Sequence, residues 1–362
     1  MVPLVEIPDI VQHYAPFFAS VFSSKAFEQF QRYISGLIVS ENKTVDGINR
    51  LFVLNVRNQS SLNRLLTESP FSVGALNRCR LALLQSLPST QMQPKGVLSL
   101  DDTLLTHYGQ HFNKIAYLYD SAQQCYVWAH NLVTLHYRDD LTDSPIDFRL
   151  WEPADLATIE TGLMAAGITM RQSKWGLKDH APKKWRHYLL GLWRRHQHKP
   201  DVATLYQSKL LVAQQILSEF VNAHPQGTLP VTFDNWYTQP AFCRFVDKTL
   251  KIPDVGTLAR DDLVLLKQSQ QRLDAFDAHL RQEHHQAIKD DRQPVFRKLS
   301  ITDKGDKETY YSSCQTHRIH NFGKHRLVIN HRQADLSDAA TYFISNQLKW
   351  QARGITRIRR HR

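Results

Sequence analysis

Two short segments decide the fold: VLSLDDTLL at residues 97–105 and TLPVTFD at residues 228–234. Each is a run of apolar and β-branched residues that leads into acidic side chains, and such runs predict buried β-strands. The first strand is expected to end at Asp101 and Asp102, and the second at Asp234. Because strand ends are where an open sheet presents functional groups, the pattern predicts carboxylates that converge at one edge of a sheet.

The sequence around these segments alternates between strand and helix patterns. IAYLYD (115–120) and CYVWAHNLVTLHY (125–137) predict an antiparallel hairpin, and DVGTLA (254–259) predicts a further strand. LYQSKLLVAQQILSEFV predicts a helix with one apolar face, formed by Leu210, Ala213, Leu217 and Val221. The expected fold class is therefore α/β, a mixed sheet with helices on its faces.

The chain also divides into regions of different character. Residues 1–90 predict a small helical domain with N-caps at Thr44 and Ser61, serving either packing or DNA binding. The polar segment PSTQMQPKG (88–96) is the expected boundary. Three regions are predicted after it. They are a core that carries the first two acidic positions (96–255), an inserted β-rich segment (256–335) and the beginning of the core's C-terminal part (336–362).

Composition narrows the class of partner. The 362 residues include 45 Lys and Arg against 34 Asp and Glu, a formal net charge of +11. A chain this basic is typical of proteins that bind nucleic acid, with a merely basic enzyme as the alternative. No apolar run approaches the ~20 residues of a membrane span, and no signal peptide is expected. The 4 Cys form no CxxC pair, so we expect a reducing, cytoplasmic setting without disulfides.

Two basic segments are candidate DNA contacts. Residues 171–199 hold nine Lys or Arg and one acid, interleaved with Trp and Tyr, which suits phosphate contact and base stacking. The alternative is a helix with core aromatics and solvated charges. Residues 349–362 hold six Lys or Arg and no acid, which suits contact with phosphates. The alternative is an ordinary helix C-terminus, where cations are favoured. The candidates are Lys174, Lys178, Lys183, Lys184, Arg186, Arg194, Arg195, Arg357 and Arg360.

Carboxylates from two neighbouring strand ends are suited to divalent metal ions. Mg²⁺ prefers carboxylate and water ligands, and two ions roughly 3.5–4 Å apart activate a nucleophile and stabilise the leaving oxygen in phosphodiester cleavage. The alternative for each aspartate is an ordinary turn or helix-capping role. Asp101 and Asp234 are the candidate ligands, with Asp102 as the fallback for the first.

Two motifs give the chain a family resemblance. Asp101-Asp102-Thr103 and Asp234-Asn235-Trp236-Tyr237 resemble the first two acidic motifs of DDE-type insertion-sequence transposases, in particular the IS-four-like branch. The resemblance implies an RNase H-like fold with a β-rich insertion and an Mg²⁺ or Mn²⁺ two-metal site. It implies metal-binding catalytic roles for Asp101 and Asp234. Trp236 and Tyr237 would pack the site or contact DNA, and a homodimer would act on transposon ends and target DNA.

The third acidic motif of that family departs from the pattern. Trp350, Ala352, Ile355 and Arg362 fit its form W-x-A-x-x-I-x-x-x-Y-x-x-R-W-x-x-E, but Arg359 replaces the tyrosine and the glutamate would lie past Arg362. The resemblance therefore predicts a truncated transposase with impaired activity. Glu308, expected in a turn, is a poor substitute. The alternatives are a DNA-binding protein without catalysis and an RNase H-like nuclease acting on RNA or branched DNA.

Overall fold

The computed structural model describes residues 3–54, 57–224, 228–267, 269–303 and 305–361. The chain divides into two compact units, Met1–Met92 and Gln93–Arg362, each with its own hydrophobic clusters. Within those described ranges, no helix has the length and apolar character needed to cross a bilayer.

The first unit is helical. Side-chain caps at Ser23, Thr44 and Ser72 start three of its helices, which confirms the predicted cap at Thr44. The predicted cap at Ser61 is wrong, because the helix begins at Ser60, whose N–H is accepted by Asn58 at 3.0 Å. Its elements are α1 (Asp9–Tyr14), a 3₁₀ segment (Ala15–Val21), α2 (Ser24–Val39), α3 (Val45–Asn49), α4 (Ser60–Thr67) and α5 (Val73–Ser86).

The second unit is built on one mixed sheet. Its described strands are β1 (Val97–Thr106), β2 (Ala116–Asp120), β3 (Cys125–Arg138), β4 (Asp143–Trp151), β5 (Val231–Phe233), β6 (Asp254–Leu258), β7 (Leu263–Leu265), β8 (Gln270–Arg272), β9 (Arg297–Asp303), β10 (Asp306–Ile319), β11 (Gly323–His331) and β12 (Thr341–Ser345). The order is β2-β3-β1-β5-β6-β12-β11-β10-β7-β8, with β4 paired to β3 and β9 to β10.

The centre of the sheet determines the fold class. β3 is antiparallel to β1, β2 and β4. After a helical connection β5 returns parallel to β1, and β6 lies parallel to β5. An antiparallel set followed by parallel strands added beside β1 is the RNase H-like arrangement. The predicted mixed α/β class and the predicted β2–β3 hairpin are confirmed.

The connection from β4 to β5 is helical and contains α6 (Leu156–Ala165), α7 (Leu177–His180), α8 (Pro182–His196), α9 (Pro200–Ala203) and α10 (Lys209–Ala223). After β5 come α11 (Pro240–Arg244), which continues as a π-helical segment (Phe245–Leu250), then α12 (Leu273–Lys289) and α13 (Ala352–Arg360). Helix α10 packs on β3 and β4. Its buried face is Val212, Ala213, Ile216, Leu217 and Phe220, so the predicted face is displaced: Leu210 and Val221 are only half-buried.

Between β6 and β12 the chain makes a long excursion through β7–β11 and α12, with a separate cluster that includes Leu273, Phe276 and Phe296. The excursion begins and ends at adjacent strands, since Leu258 of β6 pairs with Tyr342 of β12. Asp254 and Asn346 close it: each backbone N–H donates to the other side chain, at 3.1 and 2.9 Å. The expected boundaries of an inserted segment at 256–335 stay a prediction.

Candidate active site

Asp101 of β1 and Asp234, the residue directly after β5, are neighbours across two parallel strands. Leu100 of β1 is in register with Phe233 of β5. The residues that follow them, Asp101 and Asp234, are therefore opposite each other. Residues in register project from the same face of a sheet. We call this side the acid face, defined by Ser99, Asp101, Thr232 and Asp234. Strand pairing thus makes Asp101 and Asp234 neighbours at this end of β5, and their joint role as a metal site stays a prediction.

The surroundings of Asp101 differ from the prediction in one respect. β1 does not end at the acidic pair but continues to Thr106. It is buried from Val97 to Leu100 and becomes partly exposed at Asp101. The Asp101 carboxylate accepts the backbone N–H of Asp102 at 2.9 Å. Asp101 therefore lies at the point where the strand leaves the core, not at its terminus.

Asp234 directly follows β5 and opens a turn. One of its carboxylate oxygens accepts the backbone N–H groups of Trp236 and Tyr237, at 3.0 and 3.2 Å. The Thr238 hydroxyl donates to the Asp234 carbonyl at 2.5 Å. A Cβ at Gly256 would lie 2.7 Å from that hydroxyl oxygen, so only glycine lets β6 approach this turn so closely.

Asp102 projects from the opposite face, because side chains alternate along a strand. Its Oδ2 accepts the Asn131 amide at 2.6 Å and lies 2.6 Å from the Lys209 ammonium. Asp101, not Asp102, therefore shares a face with Asp234. The fallback reading of Asp102 as a metal ligand does not fit, since a lysine and an amide occupy its carboxylate.

The two aromatic residues after Asp234 occupy different environments. Trp236 is 43% exposed at the rim of the site. Tyr237 is fully buried and packs edge-on against the Trp236 ring, with centroids 4.8 Å apart. Of the two roles expected for Tyr237, packing agrees with its burial, whereas contact with DNA does not.

The basic segment 171–199 combines both readings considered from sequence. Trp185 and Trp193 are buried in a core cluster, so they are not stacking platforms. Lys178 is paired with Glu160 at 3.0 Å, and Lys174 and Arg186 are half-buried. The exposed Lys and Arg residues of α8 are Lys183, Lys184, Arg194 and Arg195.

The basic helix α13 lies on the acid face. Ile355 packs with Val255 and Phe343, and Val255 is in register with Thr232. Arg359 Nε donates to Thr257 Oγ1 at 2.8 Å. By the same register, Thr257 is the counterpart of Asp234 on β6. The helix thus places a guanidinium in the row that begins with Asp101 and Asp234.

The other residues singled out near the C-terminus are engaged with acids. Arg357 forms a bidentate pair with Asp140, at 2.7 and 2.8 Å. Arg360 lies 3.5 Å from Glu308. Glu308 is in strand β10 and not in a turn, and it is also paired with Arg332 at 3.7 Å. Arg362 falls outside the described residues.

The donor set favours a hard divalent cation. The acid face presents two partly exposed carboxylates, and oxygen donors are what Mg²⁺ and Mn²⁺ prefer. Within the described ranges, no group of three or more His, Cys, Asp or Glu is placed to hold a metal. Asp101 and Asp234 are the acids of the acid face that could serve as ligands to such an ion.

Lys209 is a residue at this site to which sequence reasoning assigned no role. Its partner Asp102 is 107 residues away in sequence, so no local pattern joins them. One local signal exists: Lys209 directly follows the cap residue Ser208. A cation is disfavoured at a helix N-terminus, so a lysine at this position indicates that another contact stabilises it.

Comparison with known proteins identifies the family of this chain. The family described as DDE superfamily endonuclease matches residues 16–272. A search of curated proteins found no match. Enzymes of this superfamily act as endonucleases or transposases on DNA and generally depend on divalent metal ions. The match covers well over half of the 362 residues, so the chain belongs to the DDE superfamily endonucleases.

Proposed function

We propose that this chain is an insertion-sequence transposase that cleaves DNA at transposon ends and joins the 3′-hydroxyl to target DNA. The observation that carries the proposal is the register of β1 and β5, which supports neighbouring positions for the partly exposed Asp101 and Asp234. The net charge of +11 suits a polyanionic substrate. We further propose that the protein acts as a homodimer on paired ends.

In this proposal the two carboxylates are metal ligands with distinct supports. Asp101 is held by a long strand and the N–H of Asp102, and Asp234 by the N–H groups of its own turn. Bound Mg²⁺ or Mn²⁺ ions would supply the activated nucleophile and stabilise the leaving oxygen. Trp236 at the rim is suited to contact the DNA end. Lys183, Lys184, Arg194 and Arg195 are suited to hold backbone phosphates.

A second candidate is a DNA-binding protein without catalysis. It is favoured by the absence of a cluster of three acids in the part of the chain that the structure describes, because a DDE site uses three. This candidate predicts salt-sensitive DNA binding with no metal-dependent cleavage.

One experiment separates the two. Nicking of supercoiled plasmid is measured with Mg²⁺, with Mn²⁺ and with EDTA, beside binding to labelled duplex DNA. For a transposase, Asp101→Asn and Asp234→Asn lower the nicking rate by at least about 100-fold and leave affinity for duplex unchanged. Asp143→Asn, an exposed acid on β4, is the control. Nicking that survives either active-site substitution contradicts the proposal, and binding without any nicking supports the second candidate.

A further inference from the structure

Lys209 carries its charge where a helix does not favour it. The Ser208 hydroxyl accepts the Leu211 N–H at 3.3 Å, so α10 begins at Lys209. The free N–H groups of the first turn give this end of a helix partial positive charge. The ammonium is therefore placed against the helix dipole, and its other contacts must offset that cost.

Those contacts are close and partly shielded from water. The ammonium lies 2.6 Å from Asp102 Oδ2 and 5.2 Å from the ring centroids of both Trp151 and Trp236. The side chains of Lys209 and Asp102 are only 18% and 21% exposed. Partial desolvation strengthens both the ion pair and the cation–π contacts.

Two of the three partners adjoin the acid pair. The backbone N–H of Asp102 donates to Asp101, and the backbone N–H of Trp236 donates to Asp234. Lys209 thus touches the residue beside one carboxylate and the residue that supports the other. It joins the middle of β1 to the turn that follows β5, from the reverse face of the sheet.

Such a link matters because the two acids are not equally constrained. β1 continues past Asp101, so that residue remains within a paired strand. β5 ends at Phe233, and Asp234 belongs to a turn. The contact between Lys209 and Trp236 ties this turn to β1.

We propose that Lys209 is a positioning residue that fixes the separation of the Asp101 and Asp234 carboxylates through Asp102 and Trp236. The inference rests on the proposed function, because it takes these two acids as the ligands of a divalent cation. Without the ammonium, Asp102 loses its counter-charge and the Asp234 turn loses its tie to β1. The two carboxylates then bridge an ion less well.

The test is Mn²⁺ binding to the full chain without DNA, followed by the electron paramagnetic resonance signal of free Mn²⁺. Lys209→Met keeps the stem over the tryptophan rings but removes the charge. We expect it to weaken Mn²⁺ binding by about tenfold or more, the usual effect of removing a residue that orients a metal ligand. Lys209→Arg keeps a cation and restores most of the affinity. Lys114→Met, at an exposed lysine paired with Glu152, is the matched control and binds as the native chain does.

A double-mutant cycle separates positioning from a general loss of packing. Trp236→Leu removes the other end of the same link and should weaken Mn²⁺ binding similarly. If both act through one device, Lys209→Met with Trp236→Leu costs no more than either alone. Losses that multiply, or a Lys209→Met chain with native affinity, overturn the inference. If Lys209→Met does not fold, Trp236→Leu at its half-exposed position carries the test.

Failure of the proposed function gives a different result. In that case Asp101→Asn and Asp234→Asn, in the otherwise native chain, leave Mn²⁺ binding unchanged. The inference about Lys209 fails alone when those two substitutions abolish binding and Lys209→Met does not weaken it.

Discussion

At the scale of single residues, Asp254 makes stability depend on pH. It is 1% exposed, and burial raises the pKa of its carboxyl to about 7. Unfolding returns this pKa to its ordinary value near 3.8, so the unfolded chain ionises first as the pH rises. Asp254 therefore lowers the free energy of unfolding progressively between about pH 4 and pH 7 by up to about 1.4 kcal/mol per pH unit.

The corresponding prediction concerns Asp254→Asn. The amide keeps an oxygen to accept the Asn346 N–H but does not ionise. The variant should exceed the native chain in unfolding free energy at pH 8, and the excess should be about 2–3 kcal/mol smaller at pH 5. Urea unfolding at the two pH values measures it. A difference that does not change with pH contradicts the assigned pKa.

Residue identity was predictable where the cause was local. An apolar run that leads into an acid made Asp101, with Asp102 as the fallback, and Asp234 the candidates, and their catalytic role stays a prediction. The choice between Asp101 and Asp102 required the register of β1 against β5, which a three-residue strand sets through tertiary packing. Lys209 was not predictable as a partner of Asp102, because the pair joins distant parts of the chain.

Among the elements, the β2–β3 hairpin carries an exposed aromatic cluster. Tyr117 and Tyr119 lie across from Trp128 and Tyr126, and the rings of Tyr117 and Tyr126 stack with centroids 5.4 Å apart. The alternation along β3 puts this cluster on the acid face. Tyr117, Tyr119 and Tyr126 are each more than half exposed, a geometry suited to stacking on unpaired bases.

We expect Tyr117→Ala with Tyr126→Ala to lower affinity for single-stranded DNA by about tenfold, from lost stacking. Duplex affinity and melting temperature should change little, because the side chains are exposed. Tyr108→Ala, at a fully exposed tyrosine outside the cluster, is the control. Anisotropy of a labelled oligonucleotide measures the effect, and equal losses for both DNA forms would count against stacking.

Element types were predictable from periodicity, but their partners were not. The alternating aromatic residues of β3 predicted a strand. The polar segment at 88–96 marked the change from helical to strand-like sequence patterns. The Trp residues of 171–199 fitted either a core or a DNA surface, and only packing placed Trp185 and Trp193 inside. The buried face of α10 was displaced because its apolar residues cover more than one stripe.

At the scale of the whole molecule, the excess of cations governs association with DNA. Each phosphate neutralised contributes about −0.9 to the slope of log affinity against log salt concentration. Arg194→Gln with Arg195→Gln should make that slope shallower by about 1 to 2. Lys248→Gln, at a lysine paired with Asp247, should not change it. A slope that stays constant for the double variant excludes this part of α8 from the interface.

The pairing of β6 with β12 also has a consequence for how the chain folds. The link between Asp254 and Asn346 joins positions 92 residues apart, and contacts of such long range slow folding because the intervening loop must first be closed. During synthesis β6 emerges long before β12, so its outer edge stays open until the excursion is complete. At that stage Val255 also lacks its packing contact with Ile355 of α13. Completion of the sheet beside the acid pair is therefore a late step, and an unpaired edge exposed in the interval favours aggregation.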